Sequence, residues 1–328
     1  MNRSQAKKFL NLPNSIIDVK PLTPSNMKSD YHLTQEQIDS FNENGYLVLR
    51  KWVTGSLLEY LQEAADKWIE EADEKIKSGD YGHYGYATKE NKNIITRINF
   101  INGKGNNESL EFLGSPYVAA VAESICGKNF VPAYEALVVK QKTDGLCIPW
   151  HQDTVHKAEY PVLVYGLYLD ESKKESGALK IIPKTHKKEN DICEFVKYGW
   201  DPPGVVQVEM EPGDLLLHEV MVVHGSQKMF NDSRRRTLYF EFRSAEHVIN
   251  EGPWQKEWVD TRIKFLPLAF NKYRSSFPGN EQFNWRPDEQ YIPLVNCENL
   301  KEEIKSVEDY FFANTPGKYC LDNSKLMT

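Results

Sequence analysis

The sequence lacks any apolar run approaching the ~18 residues of a membrane-crossing helix, so a helical membrane protein is not expected. It is also short of positive charge, with 40 Lys and Arg against 47 Asp and Glu and a net charge of −7. A general nucleic-acid binder or a membrane-surface protein shows the opposite balance, which leaves room only for a local basic pocket. Cysteine is sparse and scattered: Cys126, Cys147, Cys193, Cys297 and Cys320 form no C-x-x-C pair. An odd, dispersed set reads as reduced thiols rather than a disulfide scaffold, and the expected location is cytoplasmic. The first fifteen residues hold no secretory apolar core, and Ser324-Lys325-Leu326 is followed by two further residues, so no targeting address is expected. There is no internal repeat, no low-complexity tract and no linker rich in Gly, Ser or Pro. A single domain over 1–328 is expected, monomeric or weakly self-associating.

Local signals give helices first and strands after. Residues 1–32 are polar and carry Pro13, Pro21 and Pro24, as a surface arm would. Thr34 with Gln37 forms a capping box, and Gly45 closes that first helix. Tyr46–Leu49 reads as a short strand. Leu57, Leu61, Ala65, Trp68, Ala72 and Ile76 repeat at helical spacing between Ser56 and Ile76. Residues 79–110 read as a long polar loop with a strand-like centre at 94–97. Ser115 and Pro116 open another helix, closed by Gly127. From Phe130 to Phe242 short apolar runs, among them 161–169, 178–182, 214–217, 220–223 and 237–242, alternate with turns. That pattern predicts a β-sandwich or jelly roll with the helices against one sheet. Helical patterns return at 254–273 and 300–312.

Chemistry concentrates at two places. In an extended His151-Gln152-Asp153, side chains alternate, so the imidazole and the carboxylate share a face. Two imidazoles and one carboxylate with open positions beside them make a non-haem Fe(II) site, and His224, ending the apolar run 220–223, is the candidate third ligand. The triplet alone equally fits a solvated strand. The second place is the run 234–243, where Arg235, Thr237, Tyr239 and Glu241 alternate with Leu238, Phe240 and Phe242. A guanidinium and a hydroxyl on one face can grip a carboxylate at two or three points. With the opposite parity, Arg236 takes that place.

In order, these pieces resemble the phytanoyl-CoA dioxygenase-like family. The resemblance runs through LTQEQIDSFNENGYLVL, His151-x-Asp153, Ser176–Lys187 (SGALKIIPKTHK), Glu211–His218 (EPGDLLLH), His224–Ser226, Asn231 and RRRTLYF, roughly residues 33–243. It implies a double-stranded β-helix (a cupin-like jelly roll), mainly β with flanking helices, and an Fe(II) enzyme consuming 2-oxoglutarate and O2. By resemblance, His151, Asp153 and His224 hold iron, Arg235 takes the distal carboxylate of 2-oxoglutarate, and Ser226, Thr237 and Lys140 assist. Lys184 stands where the family often has glycine. Asp153 is intact, whereas related halogenases carry a small residue there. The implied reaction attacks an unactivated C–H bond of a small specialised metabolite, by hydroxylation, desaturation or cyclisation. A non-catalytic jelly-roll binding module and a cupin-type metalloenzyme without 2-oxoglutarate remain alternatives. Substrate contacts are expected from 79–110 and from the extension at 244–328, with Tyr84, Arg97, Trp150 and His156 as candidates.

Overall fold

The computed structural model describes residues 31–309 and 317–326, apart from 106, 157 and 158, so the expected N-terminal arm lies almost wholly outside the described residues. The chain opens with α1 (Gln35–Asn44), β1 (Tyr46–Leu49), α2 (Ser56–Lys77), β2 (Tyr84–Lys89), β3 (Lys92–Asn99), α3 (Glu108–Leu113) and α4 (Pro116–Cys126). The strand-rich part follows as β4 (Phe130–Gln141), β5 (Ile148–Gln152), β6 (Leu163–Tyr168), β7 (Leu179–Ile182), α5 (Ile192–Val196), β8 (Val206–Val208), β9 (Leu215–Glu219), β10 (Val223–Ser226) and β11 (Arg234–Ser244). The last part holds α6 (Ala245–Glu251), α7 (Lys256–Arg262), α8 (Phe265–Ser276), α9 (Leu300–Asp309) and β12 (Lys318–Tyr319).

Two antiparallel sheets form a jelly roll. The larger has the order β1-β9-β6-β11-β4-β3-β2 and the smaller β12-β5-β10-β7-β8. The opening helix follows its signals: Thr34 and Gln37 cap each other reciprocally, and Gly45 at φ 79° donates its N–H to Phe41. One face of β11, with Leu238, Phe240 and Phe242, packs in the main core with Trp68 of α2, Phe112 of α3 and Val118 of α4. Helices therefore cover the outside of the larger sheet, and the other face of β11 looks between the sheets.

Four local expectations are corrected. Residues 79–110 are not a loop with one short strand: β2 and β3 form a hairpin that extends the larger sheet. Its turn is Glu90-Asn91, both with positive φ (50° and 60°), the backbone that suits a two-residue hairpin. Val220–Val222 is not a strand but a buried turn, with Val222 N donating to Glu219 O at 3.0 Å. Its apolar character reflects burial, which periodicity cannot separate from strand. The helical stretch 254–273 is two helices, because Pro267 cannot sit deeper than the first turn of a helix. Finally, Cys193 and Cys320 are joined as a disulfide with Cα atoms 4.9 Å apart. They lie 127 residues apart, so only folding shows that they meet; Cys126, Cys147 and Cys297 are thiols.

A buried ion pair fastens the C-terminal helices to the sheet. Arg262 of α7 donates to Glu135 of β4 at 2.6 Å, with side chains 1% and 0% exposed, and its Nε donates to Pro132 O. Glu135→Ala strands a buried guanidinium and is expected to lower the unfolding free energy by about 3–5 kcal/mol. Urea unfolding at an unchanged midpoint would contradict this.

Candidate metal centre

The fold makes His151 and His224 direct neighbours. β5 and β10 pair antiparallel with His151 opposite His224, and β12 places Tyr319 opposite His151 on its other side. The two imidazole centroids are 4.2 Å apart, and the Tyr319 ring stacks on His151 at 4.9 Å. Asp153 follows the end of β5, held by its N–H to Val220 O at 2.9 Å. Its oxygens lie 3.2 Å from His151 Nε2 and 3.7 Å from His224 Nε2.

Each imidazole is fixed by backbone. His151 Nδ1 lies 2.8 Å from Pro149 O, and His224 Nδ1 lies 2.9 Å from Val222 O. A carbonyl can only accept, so each Nδ1 carries the proton and each Nε2 presents a lone pair beside Asp153, as metal-bound imidazoles are arranged. Withdrawal from water and the neighbouring His151 push His224 down to about 3, which keeps it neutral. Withdrawal from water alone would raise Asp153, but His224 and His151 beside it hold its carboxyl well below the usual range. A divalent metal requires an unprotonated Nε2 on each imidazole and an ionised carboxylate, and it would supply the positive charge beside Asp153 in place of any proton on the rings. Donor atoms of all three lie within 4.8 Å of one another. This donor set fits Fe(II).

A cavity of about 390 Å³ opens beside the triad. Arg235 lines it from β11 and is 2% exposed. Its guanidinium donates to Gly177 O and, at 3.4 Å, to Ser172. Ser226 is fully buried and donates to the same carbonyl at 2.7 Å. Gly177 has φ +63°, and a Cβ there would lie 2.4 Å from Gln227 O and 2.9 Å from Lys140 Cε, so this approach needs glycine. Lys140 is the register partner of Arg235, is 3% exposed and donates to Leu146 O at 2.9 Å. Arg235 Nε and Thr237 Oγ1 are buried without a partner. The unpartnered Nε of a guanidinium on the cavity wall fits the carboxylate of a keto-diacid, whereas Thr237, Ser226 and Lys140 do not themselves line the cavity. Arg236 points away: Asp170 receives it at 2.8 Å, with Asp66 at 2.9 Å.

Of the four candidate substrate residues, only Arg97 lines this cavity. Trp150 is fully buried against Trp200 and donates to Gly199 O, because residues 150 and 151 face opposite ways along β5. Tyr84 is buried with Lys104 over its ring, outside the cavity lining. His156 sits 2.8 Å from Glu219, also outside it. Sequence reasoning did not nominate Tyr134, Arg243, Trp254, Trp258 or Tyr319, all of which line the cavity. Arg243 continues the parity of 235, 237, 239 and 241, so its signal was present. The tryptophans and Tyr319 come from the C-terminal extension, where no local pattern marks an inward residue. His218 lines the cavity with its ring centroid 4.8 Å from that of His224, and His186 is structural, accepted by Asn42 O at 3.1 Å. Lys184, in the glycine-like place, adopts φ 66°.

A jelly roll with two imidazoles and a carboxylate at one mouth, and a buried arginine behind them, defines the class of mononuclear non-haem iron oxygenases. Within that class the chain belongs to the phytanoyl-CoA dioxygenase (PhyH) family, whose model matches residues 41–237. Among curated relatives, 2-aminoethylphosphonate dioxygenase of an uncultured bacterium (HF130_AEPn_1) is 26% identical, over 73% of this chain and 91% of its own. The crystal structure of EvdMO1 shares 27% identity with a TM-score of 0.55, covering 64% of this chain; this chain spans about half of it, 49%. The S. alaskensis EctD structure with 2-oxoglutarate and 5-hydroxyectoine is 20% identical at TM-score 0.54, covering 70% of this chain and 82% of its own, and shares the fold. The protein is an Fe(II)- and 2-oxoglutarate-dependent dioxygenase of a family that acts on small molecules. Among the described residues no helix is long and apolar enough to cross a membrane.

Proposed function

We propose that this dioxygenase oxidises an unactivated C–H bond of a small acidic specialised metabolite, of the amino-acid-derivative class, releasing succinate and CO2. His151, Asp153 and His224 hold the iron. Arg235 receives the distal carboxylate of 2-oxoglutarate, Thr237 lies next along the same strand face, and Ser226 keeps Arg235 in place through the shared Gly177 carbonyl. Lys140 adds positive charge beside it. Bound iron, supplied with 2-oxoglutarate and O2, furnishes an oxidant strong enough for a C–H bond. The protein's share is to place that bond and exclude water.

The observation that carries the substrate class is the part of the cavity wall built by Arg97, Trp254 and Trp258. Arg97 lines it with an accessible guanidinium. Arg243, by contrast, is committed to Glu241 at 2.8 Å and lies over the Trp254 ring. Trp254 and Trp258 stack on each other at 4.2 Å and form a flat wall. An accessible cation near the triad suits a substrate acid group, and the indoles suit a compact apolar portion. The region 244–328 thus acts as a substrate-shaping extension on an oxygenase core at 33–243. The relative acting on 2-aminoethylphosphonate is consistent with a small charged substrate.

The test is succinate release with Fe(II), 2-oxoglutarate and a panel of amino-acid derivatives and neutral lipophilic compounds. Product mass separates outcomes: one oxygen added for hydroxylation, two hydrogens lost for desaturation or ring closure. Arg97→Met should weaken acidic substrates by about 1.5–3 kcal/mol, roughly tenfold or more in KM. Coupled turnover confined to neutral lipophilic compounds would overturn the class.

A further inference from the structure

A second group of potential ligands lies outside the cavity. His247 and Glu251 sit one turn apart on α6 and so share a face. His156, three residues past Asp153, meets them from the segment after β5. One donor atom from each of the three lies within 4.8 Å of the others. None of the three lines the cavity beside the first triad.

The polar atoms here are unusual. His247 is 0% exposed, and both its ring nitrogens lack a hydrogen-bond partner. The Glu251 side chain is 6% exposed, and both its carboxylate oxygens also lack one. Four orphaned atoms in one buried spot are costly, and an ion is among the few things that explain such a set. A simple ion pair does not, since the closest approach of the two groups is 3.8 Å. Burial, Arg243 and His156 also push His247 down to about 3, so the imidazole is neutral. Arg243, the nearby cation, is itself committed to Glu241.

The third ring is held as metal-bound imidazoles are. His156 Nε2 lies 2.8 Å from Glu219, whose side chain is 6% exposed. Glu219 in turn accepts the Met221 N–H at 2.6 Å and the Val162 N–H at 3.3 Å. A carboxylate fixed by backbone and orienting an imidazole is the usual outer support of a metal ligand.

From these observations we propose that His156, His247 and Glu251 bind a second, structural divalent cation of the zinc class, with a water completing four-coordination. Two imidazoles and one carboxylate suit that class. The site clamps α6 to the segment that follows Asp153. α6 lies between Arg243 and Trp254, so the clamp fixes the substrate-side wall relative to the first triad. It does not depend on what binds at His151, Asp153 and His224.

The test uses the full chain carrying His151→Ala and His224→Ala, stripped with chelator and titrated with Zn(II) or Co(II) alone. One equivalent should bind, with a rise in thermal midpoint and the visible bands of four-coordinate Co(II). Adding either His247→Gln or Glu251→Gln should remove that equivalent, and Glu219→Gln should weaken it by about 10–100-fold. Circular dichroism reports whether His247→Gln folds, and Glu251→Gln gives an independent answer if it does not. No bound equivalent in the chain lacking the first triad overturns the proposal. So does an equivalent that persists when His247 and Glu251 are both glutamine.

Discussion

His224→Ala is expected to abolish the visible charge-transfer band that Fe(II) and 2-oxoglutarate develop anaerobically, and substrate-dependent succinate with it. The loss should exceed the roughly 10–100-fold that follows from removing an outer hydrogen-bond partner of a metal ligand. The reason is geometric. His151 and Asp153 come from one strand and its end, and the strand opposite delivers only His224 to them. Without it, two donors remain where three are needed. His218 is close, but its ring approaches Glu219 O through Nδ1 at 3.3 Å and it is not among the side chains whose donor atoms converge with Asp153. Retained band intensity with His224→Ala would show that the iron lies elsewhere. The band reports iron with the keto-acid bound to it, so a cation at His156, His247 and Glu251 does not contribute.

Arg235→Ala should raise the 2-oxoglutarate concentration for half-maximal turnover by about 30-fold or more. Truncating one side of a buried, hydrogen-bonded charge pair costs about 2–5 kcal/mol, and each 1.4 kcal/mol is tenfold. Arg236→Ala should change that requirement by less than about threefold and instead lower the thermal midpoint, because it breaks contacts to Asp170, Asp66 and Gln62 O. The reverse pattern would move the anchor to Arg236. Lys140 adds a pH signature. Burial and the adjacent Arg235 push its ammonium down to about 7. A bound dicarboxylate favours the charged form, so binding should take up a proton above that pH, and affinity should fall as pH rises from 7. Calorimetry in buffers of different ionisation enthalpy reads the proton directly. The sign for the ligand-free protein is opposite. Between pH 7 and the unfolded value near 10.4 the unfolded chain holds the proton and the folded chain does not, so this group makes stability rise with pH.

Local physics made much of the fold legible. The capping box at Thr34, the left-handed Gly45 and the stripe along α2 are governed by contacts within a turn or two, and the structure reproduces them. The alternation in β11 was equally legible, because a strand between helices and a cavity must sort apolar from polar side chains at period 2. Where several physical states share one local pattern, the reading went astray. Val220–Val222 is apolar because it is buried, and Trp150 is inward in a different sense from His151.

By itself, the sequence determined a β-rich roll behind N-terminal helices, and nominated His151, Asp153, His224 and Arg235 through face parity and a family resemblance. The tertiary structure decided which of them meet: it set His224 opposite His151, turned Arg235 inward and Arg236 onto Asp170, and joined Cys193 to Cys320. It also brought Trp254, Trp258 and Tyr319 to the cavity and gathered His156, His247 and Glu251. Periodicity encodes the direction of a side chain along its own element, whereas juxtaposition depends on strand order and register between elements far apart in the chain.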